Sequence, residues 1–307
     1  MAHEEYAAQV RLMLRILPLI MKENSFALKG GTAINLFYRD LPRLSVDIDL
    51  TYVPIQSREE SLSGINAAME RIMKSVRQIP GVSSKRIQGG GGNETRVLVM
   101  EGKSAVKVET SPVTRGVILE PKVVRVQPRV EKDFGFAEAV LVSFEDAYAG
   151  KLHATLSRQH PRDIFDVHLL YENEGISNLL FRVLMVYLSC SSRPLHELLN
   201  PNLLDISDAY EKEFVGMAVT ADELTLDELL NTRKRLIKDI QSRLKGGISE
   251  YLRSLQNGKP DFNLLNLSEE LINLPAIQWK LLNLRKLMSD NPEKHRVQTG
   301  ELESLLK

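Results

Sequence analysis

"LKGGTAINLFYRDLPRLSVDIDL" spans residues 28–50 and dictates how the first half of the chain is read. "SFALKG" reads as a short strand ending at Gly30, and the next apolar positions, Ile34, Leu36 and Phe37, fall at helical spacing with Thr32 placed to cap that helix. After the turn "RDLPRLS", the segment "VDIDLTYV" alternates. A strand there sends Val46, Ile48 and Leu50 to one face and Asp47, Asp49 and Thr51 to the other. Two adjacent carboxylates repel and raise each other's pKa, so a compensating cation is expected. One candidate is magnesium, which takes one or two carboxylates and completes its shell with water and phosphate oxygens. The alternative is an edge strand whose aspartates pair with Arg39 or Arg43. The preceding Gly30, Gly31 and Thr32 let a backbone approach closely and offer N–H groups and a hydroxyl at a helix start, which makes an anion-binding end. A metal pair beside a phosphate cradle suits phosphoryl or nucleotidyl transfer.

Working outward, residues 5–23 have apolar positions spaced for an amphipathic helix, and residues 57–77 form a second one with Ser57 as N-cap. The period then changes. "SSKRIQ", "TRVLVME", "AVKVETSPV" and "KVVRVQPRV" are short alternating runs separated by Gly, Asn and Pro, as in strands joined by hairpins. In the third of these, Lys107 and Glu109 share a face. Glu109 is a candidate third metal carboxylate if its strand lies beside that of Asp49, and otherwise a surface glutamate beside Lys107. "GGGG" at 89–92 lacks the Lys-Ser/Thr pair and helix of a phosphate loop and reads as a hairpin tip. From Phe144 onward the pattern is helical. The expected organisation is α+β: a domain of residues 1–173 with a mixed or antiparallel sheet and a helical bridge, then a helical C-terminal domain of residues 174–307.

The 307 residues carry 40 basic and 40 acidic side chains, and 43% are hydrophobic. This is a globular composition whose zero net charge excludes whole-molecule steering of a polyanion but not a local basic patch. The single cysteine, Cys190, lies in "FRVLMVYLSC" and reads as a small buried hydrophobe. That stretch is far short of the about 20 apolar residues a bilayer requires. With Glu4 and Glu5 near its start, the N-terminus is unlike a basic secretory leader, so a cytoplasmic protein without membrane contact is expected.

Two motifs in order, "LKGGTAINLFYRDLPRLSVDIDL" and "GKLHATLSRQHPRDIFDVHLL", carry a resemblance. The chain resembles the AbiEii/AbiGii toxin family, MenT-like nucleotidyltransferases of the polymerase-beta-like superfamily, over about residues 25–172. The second motif supplies Lys151, Arg158, Arg162, Asp163 and Asp166. The resemblance implies the toxin half of a toxin–antitoxin or phage-defence system, with a separately encoded antitoxin. It also implies a metal-dependent enzyme moving a nucleoside monophosphate from an NTP to an acceptor hydroxyl, with pyrophosphate released. MenT-type members act on the 3′ end of tRNA, which makes that the expected acceptor. Other readings are transfer to a protein or small molecule, and a non-catalytic nucleotide-binding module. Carried over by position, Asp47 and Asp49 hold metal, Gly31 and Thr32 with the adjoining Gly30 form the cradle, Lys151 meets nucleotide phosphates, and Asp163 is an active-site acid. Thr32 stands where the family commonly has serine and keeps the hydroxyl.

Each residue also has a plainer reading. Lys151 suits triphosphate oxygens as pyrophosphate leaves, or is a solvated helix-surface lysine. Asp163 is a first-turn or capping carboxylate, or a group orienting Lys151 or the acceptor hydroxyl. Asp166 shares its helical face and is placed to pair with Arg162. His153 and His160 lack zinc spacing and read as hydrogen-bonding or solvent-facing. Trp279 could stack on a base, but its apolar helical surroundings favour core packing. Arg233, Lys234 and Arg235 are either RNA phosphate contacts or a solvated face.

Overall fold

The computed structural model describes residues 2–87, 95–218 and 224–307, and the "GGGG" segment lies outside them. The chain divides into two compact units, Met1–Ala147 with Met217–Ala221, and Tyr148–Gly216 with Asp222–Lys307.

The first unit opens with helix α1 (Ala2–Ile20) and strand β1 (Phe26–Lys29). Helix α2 (Gly30–Ala33) runs into a π-helical turn, Ile34–Tyr38. Then come β2 (Ile48–Tyr52), α3 (Arg58–Val76), β3 (Val82–Ile87), β4 (Arg96–Glu101), β5 (Ser104–Thr110), β6 (Lys122–Arg125), α4 (Pro128–Phe134) and β7 (Glu138–Leu141). Ser57 caps α3 as expected: its hydroxyl accepts from Glu60 N while the Glu60 carboxylate accepts from Ser57 N. Two expectations are corrected. Thr32 is not a cap, because α2 already begins at Gly30 with Lys29 as its N-cap. The run "KVVRVQPRV" is strand only to Arg125, since Pro128, with no N–H and a fixed φ, starts α4.

The seven strands lie in the order β3-β4-β5-β2-β1-β7-β6, which puts β2 at the centre. It runs antiparallel to β1 and parallel to β5, and β1 is parallel to β7. This central position answers the apolar half of the alternation, because Ile48 and Leu50 are fully enclosed with Phe26, Leu28, Val97, Val99, Val106 and Val108. Leu12, Ile16, Ile65, Met69 and Ile72 of α1 and α3 belong to the same core. Each such side chain contributes about 1.5–3 kcal/mol on burial.

Helix α5 (Phe144–Arg158) begins in the first unit and ends in the second. The second unit continues with α6 (Pro161–Asn173), α7 (Asn178–Ser189), α8 (Leu195–Leu199), α9 (Ser207–Glu213), α10 (Leu226–Ser242), α11 (Gly247–Gln256), α12 (Pro275–Asp290) and α13 (Pro292–Leu305), with two 3-10 turns before α12. The expected division at 173 falls between α6 and α7. Ile164, Phe165, Ile206, Phe214 and Leu229 form one of its cores. Cys190 is not deeply buried but half-buried, at the C-cap of α7. No helix among the described residues is long and apolar enough to cross a membrane.

Candidate active site

The strand pairing sets charged residues side by side in the first unit. Lys29 of β1 stands opposite Asp49 of β2, Asp49 opposite Glu109 of β5, and Glu109 opposite Arg96 of β4. The result is a row across the sheet, Lys29–Asp49–Glu109–Arg96, alternating in sign. Opposite charges at directly facing positions stabilise a sheet by about 0.2–1 kcal/mol per pair. Arg96 Nε lies 2.7 Å from Glu109 Oε2. Lys107 Nζ lies 3.4 Å from the same oxygen and 3.6 Å from Asp47 Oδ2. The cations beside the two aspartates are thus Lys29 and Lys107, not Arg39 or Arg43. Lys29, Asp49, Thr95, Arg96, Glu109 and Ser111 line an open pocket of about 250 Å³.

Asp47 and Asp49 differ in setting. Asp47 precedes β2 and its side chain is half-exposed. Burial pushes the Asp49 carboxyl up to about 6; Lys29 opposes the rise, and Glu109 and Asp47 add to it. Burial pushes the Lys29 ammonium down against the pull of Asp49 and Glu109.

The glycines are fixed by geometry. Gly30 has φ +75, a left-handed conformation, and a Cβ there would lie 2.9 Å from Asp49 Cβ and overlap its carboxylate. A Cβ on Gly31 would come within 2.7 Å of Ser45 Oγ and 3.1 Å of an Arg43 nitrogen. Thr32 is fully buried, its hydroxyl donating to Asp47 O at 2.5 Å and lying 3.2 Å from Ser45 Oγ. That hydroxyl holds the segment entering β2, so only the backbone of Gly30–Thr32 is left to act as a cradle.

Among the described residues no three His, Cys, Asp or Glu side chains converge as a ready-made metal cluster. Asp47 and Asp49 nevertheless supply two neighbouring carboxylates with oxygen donors alone, the set magnesium favours, while Glu109 is engaged by Arg96.

In the second unit, Lys151 of α5 is almost enclosed, and its Nζ lies 2.8 Å from Asp163 Oδ1 and 2.9 Å from Asp166 Oδ2. Arg158 adds Nε to Asp163 Oδ2 at 2.6 Å and Nη2 to Oδ1 at 3.1 Å. Burial alone raises the Asp163 pKa, and Lys151 with Arg158 more than reverse it, so this carboxyl is held well below the usual range. Lys151 is therefore not a solvated surface lysine, and it is a partner of Asp166; Arg162 reaches Glu213. Asp163 occupies the first turn of α6, whose N-cap is His160.

Other expectations are revised. His153 is half-buried, and its enclosed Nε2 has no hydrogen-bond partner among the described residues; burial and Arg193 push it down to about 4. Trp279 is not core but 53% exposed. Arg233 is buried, giving Nη1 to Gln159 Oε1 at 2.8 Å and Leu204 O at 2.7 Å, whereas Lys234 and Arg235 are exposed. Lys29 and Arg96 are site residues that the sequence pattern does not single out. Lys29 is the last residue of the strand before Gly30, and its signal was its place beside the glycine pair.

The family model of the nucleotidyl transferase AbiEii toxin, type IV toxin–antitoxin system, matches residues 11–283. No functionally curated protein matches the sequence. Among solved structures, MenT4, a nucleotidyltransferase toxin from Mycobacterium tuberculosis H37Rv, is similar with a TM-score of 0.56 at 16% identity, over 99% of this chain and 92% of that one. At that identity the likeness is one of fold. The family match spans most of the chain, and with the glycine pair ahead of a central Asp-x-Asp strand it places the protein: the chain belongs to the AbiEii family of nucleotidyltransferase toxins, within the polymerase-beta-like superfamily.

Proposed function

We propose that this toxin transfers a nucleoside monophosphate from an NTP to the 3′ end of tRNA, releasing pyrophosphate and so blocking translation until a separately encoded antitoxin intervenes. The observation that carries the reading is the Asp47/Asp49 pair beside a glycine-only approach at Gly30, with Asp49 on the rim of a pocket that also presents Lys29 and Arg96. Magnesium held by Asp47 and Asp49 would, when bound, offset charge on the entering and leaving oxygens of an in-line displacement.

The chain's own residues do the rest. The backbone at Gly30–Thr32 takes phosphate oxygens at a helix start. The Thr32 hydroxyl fixes Asp47 by holding its carbonyl. Glu109, ion-paired with Arg96, adds to the negative charge around Asp49. Asp163 and Asp166 occupy two of the three donors of the Lys151 ammonium, and the third is proposed to serve a phosphate oxygen. Lys234 and Arg235 are proposed RNA phosphate contacts, with Arg235 stacked 4.1 Å over Tyr171.

The test is incubation with each labelled NTP, magnesium and total tRNA, followed by 3′-end sequencing of labelled RNA. Incorporation into tRNA that disappears in Asp49→Ala supports the proposal. Label in protein or metabolite instead of RNA would reassign the acceptor. Transfer that persists in Asp49→Ala would overturn the carboxylate assignment.

A further inference from the structure

Arg115 is 5% exposed, yet no carboxylate among the described residues neutralises it. Its one protein acceptor there is the carbonyl of Ser57, 3.4 Å from Nη1, and its Nε is enclosed without a partner. Burying a guanidinium without a counter-ion costs several kcal/mol, so such a group implies an anion supplied from outside the chain.

The surroundings add positive potential. Ser57 is the N-cap of α3, a 19-residue helix whose amino end carries the positive pole of its dipole. Arg58, its first residue, is exposed and is the charged side chain that most disfavours a second cation at Arg115. Two acids lie in the same turn. Glu60 is folded back onto Ser57 N at 3.1 Å as half of the capping box, and Glu59 is exposed.

Arg115 is also held in place. Ser111 Oγ accepts from the N–H groups of Val113 and Thr114. Gly116 N donates to Tyr52 O at 2.8 Å, and Thr51 Oγ1 lies 3.2 Å from Gly116 O. The loop is thus pinned to the carboxyl end of β2, and its first residues, Ser111 and Pro112, line the pocket that holds Asp49 and Glu109.

We infer that Arg115, with Arg58 and the amino end of α3, forms a phosphate-binding site on the first unit, separate from the glycine cradle and the carboxylates. It takes a phosphate group of one of the two substrates, and so rests on the proposed transfer reaction only for which molecule brings that group. A planar guanidinium beside helix N–H groups suits a tetrahedral oxyanion.

The test is thermal unfolding of the full chain in EDTA, with no transfer possible, titrated with inorganic pyrophosphate, with ATP, or with total tRNA. Wild type is expected to be stabilised by at least one of them, with Arg115→Met and Arg58→Gln weakening the apparent affinity about tenfold and about threefold, in line with loss of charge-assisted hydrogen bonds. Selective loss in the pyrophosphate and ATP arms assigns the site to the donor, and selective loss in the tRNA arm to the acceptor. Arg58→Gln, a surface change, keeps the test informative if Arg115→Met does not fold. Asp49→Asn is expected to keep the ligand-dependent shift, which separates this site from the carboxylates even if no transfer is ever detected. Equal shifts in wild type, Arg115→Met and Arg58→Gln, or no shift in wild type with any ligand, would overturn the inference.

Discussion

Replacing Lys151 by methionine tests whether the cluster in the second unit is held by one ammonium. Asp163 and Asp166 are 1% and 0% exposed, and Lys151 contacts both at 2.8 and 2.9 Å. Removing one partner of a buried ion pair costs about 3–5 kcal/mol. Arg158 keeps its two bonds to Asp163 but is itself largely exposed, so a loss near the lower end, about 3 kcal/mol, is expected. The pH dependence follows from the sign of the shift. In wild type the folded pKa of Asp163 is depressed below its unfolded value, so its stabilisation is present above the unfolded pKa of 3.8 and is lost only as pH falls through the folded one. In Lys151→Met, Asp163 keeps only Arg158 and its folded pKa rises, so the deficit is already present near about pH 5 and grows toward about pH 8. Urea unfolding followed by circular dichroism at both pH values measures this. Lys151→Met/Asp163→Asn, with one anion removed, is expected to regain about half the loss at the higher pH while remaining inactive in nucleotide transfer. A deficit below about 1 kcal/mol, or one equal at both pH values, would refute the idea that Lys151 neutralises the pair.

The same reasoning extends to other positions. Gly30→Ala forces a Cβ onto Asp49 at φ +75 and is expected to cost more than about 2 kcal/mol and abolish transfer, whereas Gly102→Ala, at φ +56 with open space around it, should cost about 1 kcal/mol; equal losses by urea unfolding would contradict the close approach. Asp49 has its folded pKa raised from 3.8 to about 6, so its ionisation weakens the fold as pH rises through that interval. Asp49→Asn should gain about 1–3 kcal/mol over wild type between about pH 4 and about pH 7.5, part of it offset by the loss of the charge beside Lys29, and a variant no more stable at either pH would count against that burial. Arg233→Met should cost about 1–3 kcal/mol by removing the donor to Leu204 O and leaving Gln159 Oε1 with Leu204 N alone, while Lys234→Gln leaves stability within about 0.5 kcal/mol and lowers the salt slope of tRNA binding by about 1; the reverse pattern would return Arg233 to the RNA face. Trp279, the single tryptophan, should be quenched readily by acrylamide in the folded protein, and protection would put it back in the core.

What was legible in the sequence is what local pattern encodes. The period of two in "VDIDLTYV" separates Ile48 and Leu50 from Asp49, and the Ser57–Glu60 spacing marks the start of α3. The partner of β2 was not legible. Glu109 is 60 positions from Asp49, and its place opposite that residue comes from a parallel pairing that no turn connects and no short-range rule specifies. Buried charges were missed for a related reason. Lys151 and Arg233 carry side chains whose usual place is the surface, and only the acceptors that tertiary packing brings to them allow otherwise. For Trp279 the apolar neighbours in sequence misled, because Ala276, Ile277, Lys280, Leu281 and Leu284 form the inward face of α12 and Trp279 and Leu282 the outward one.

The two like charges of the Asp-x-Asp strand illustrate how far a local rule reaches. Taken alone they demand a counter-ion, and Arg39 and Arg43 are the nearest cations in sequence. Chain reversal gives the role to residues from other strands: Lys29 opposite Asp49, and Lys107 between Asp47 and Glu109. The distinction matters chemically. Lys107, 3.6 Å from Asp47 and 3.4 Å from Glu109, holds these carboxylates more loosely than a bidentate guanidinium would, and its part-exposed ammonium is a point charge that a stronger cation can displace. Arg96 lies closer to Glu109, its Nε 2.7 Å from Oε2, as an ion pair without hydrogen-bond geometry. With Asp47 half-exposed and reached by Lys107 at 3.6 Å, while Arg96 lies beside the outlying Glu109, the Asp47 end of the pair is the more open to an incoming divalent ion. It follows that Lys107→Arg, which would tighten the hold on Asp47, should impair metal-dependent transfer more than Lys107→Gln does.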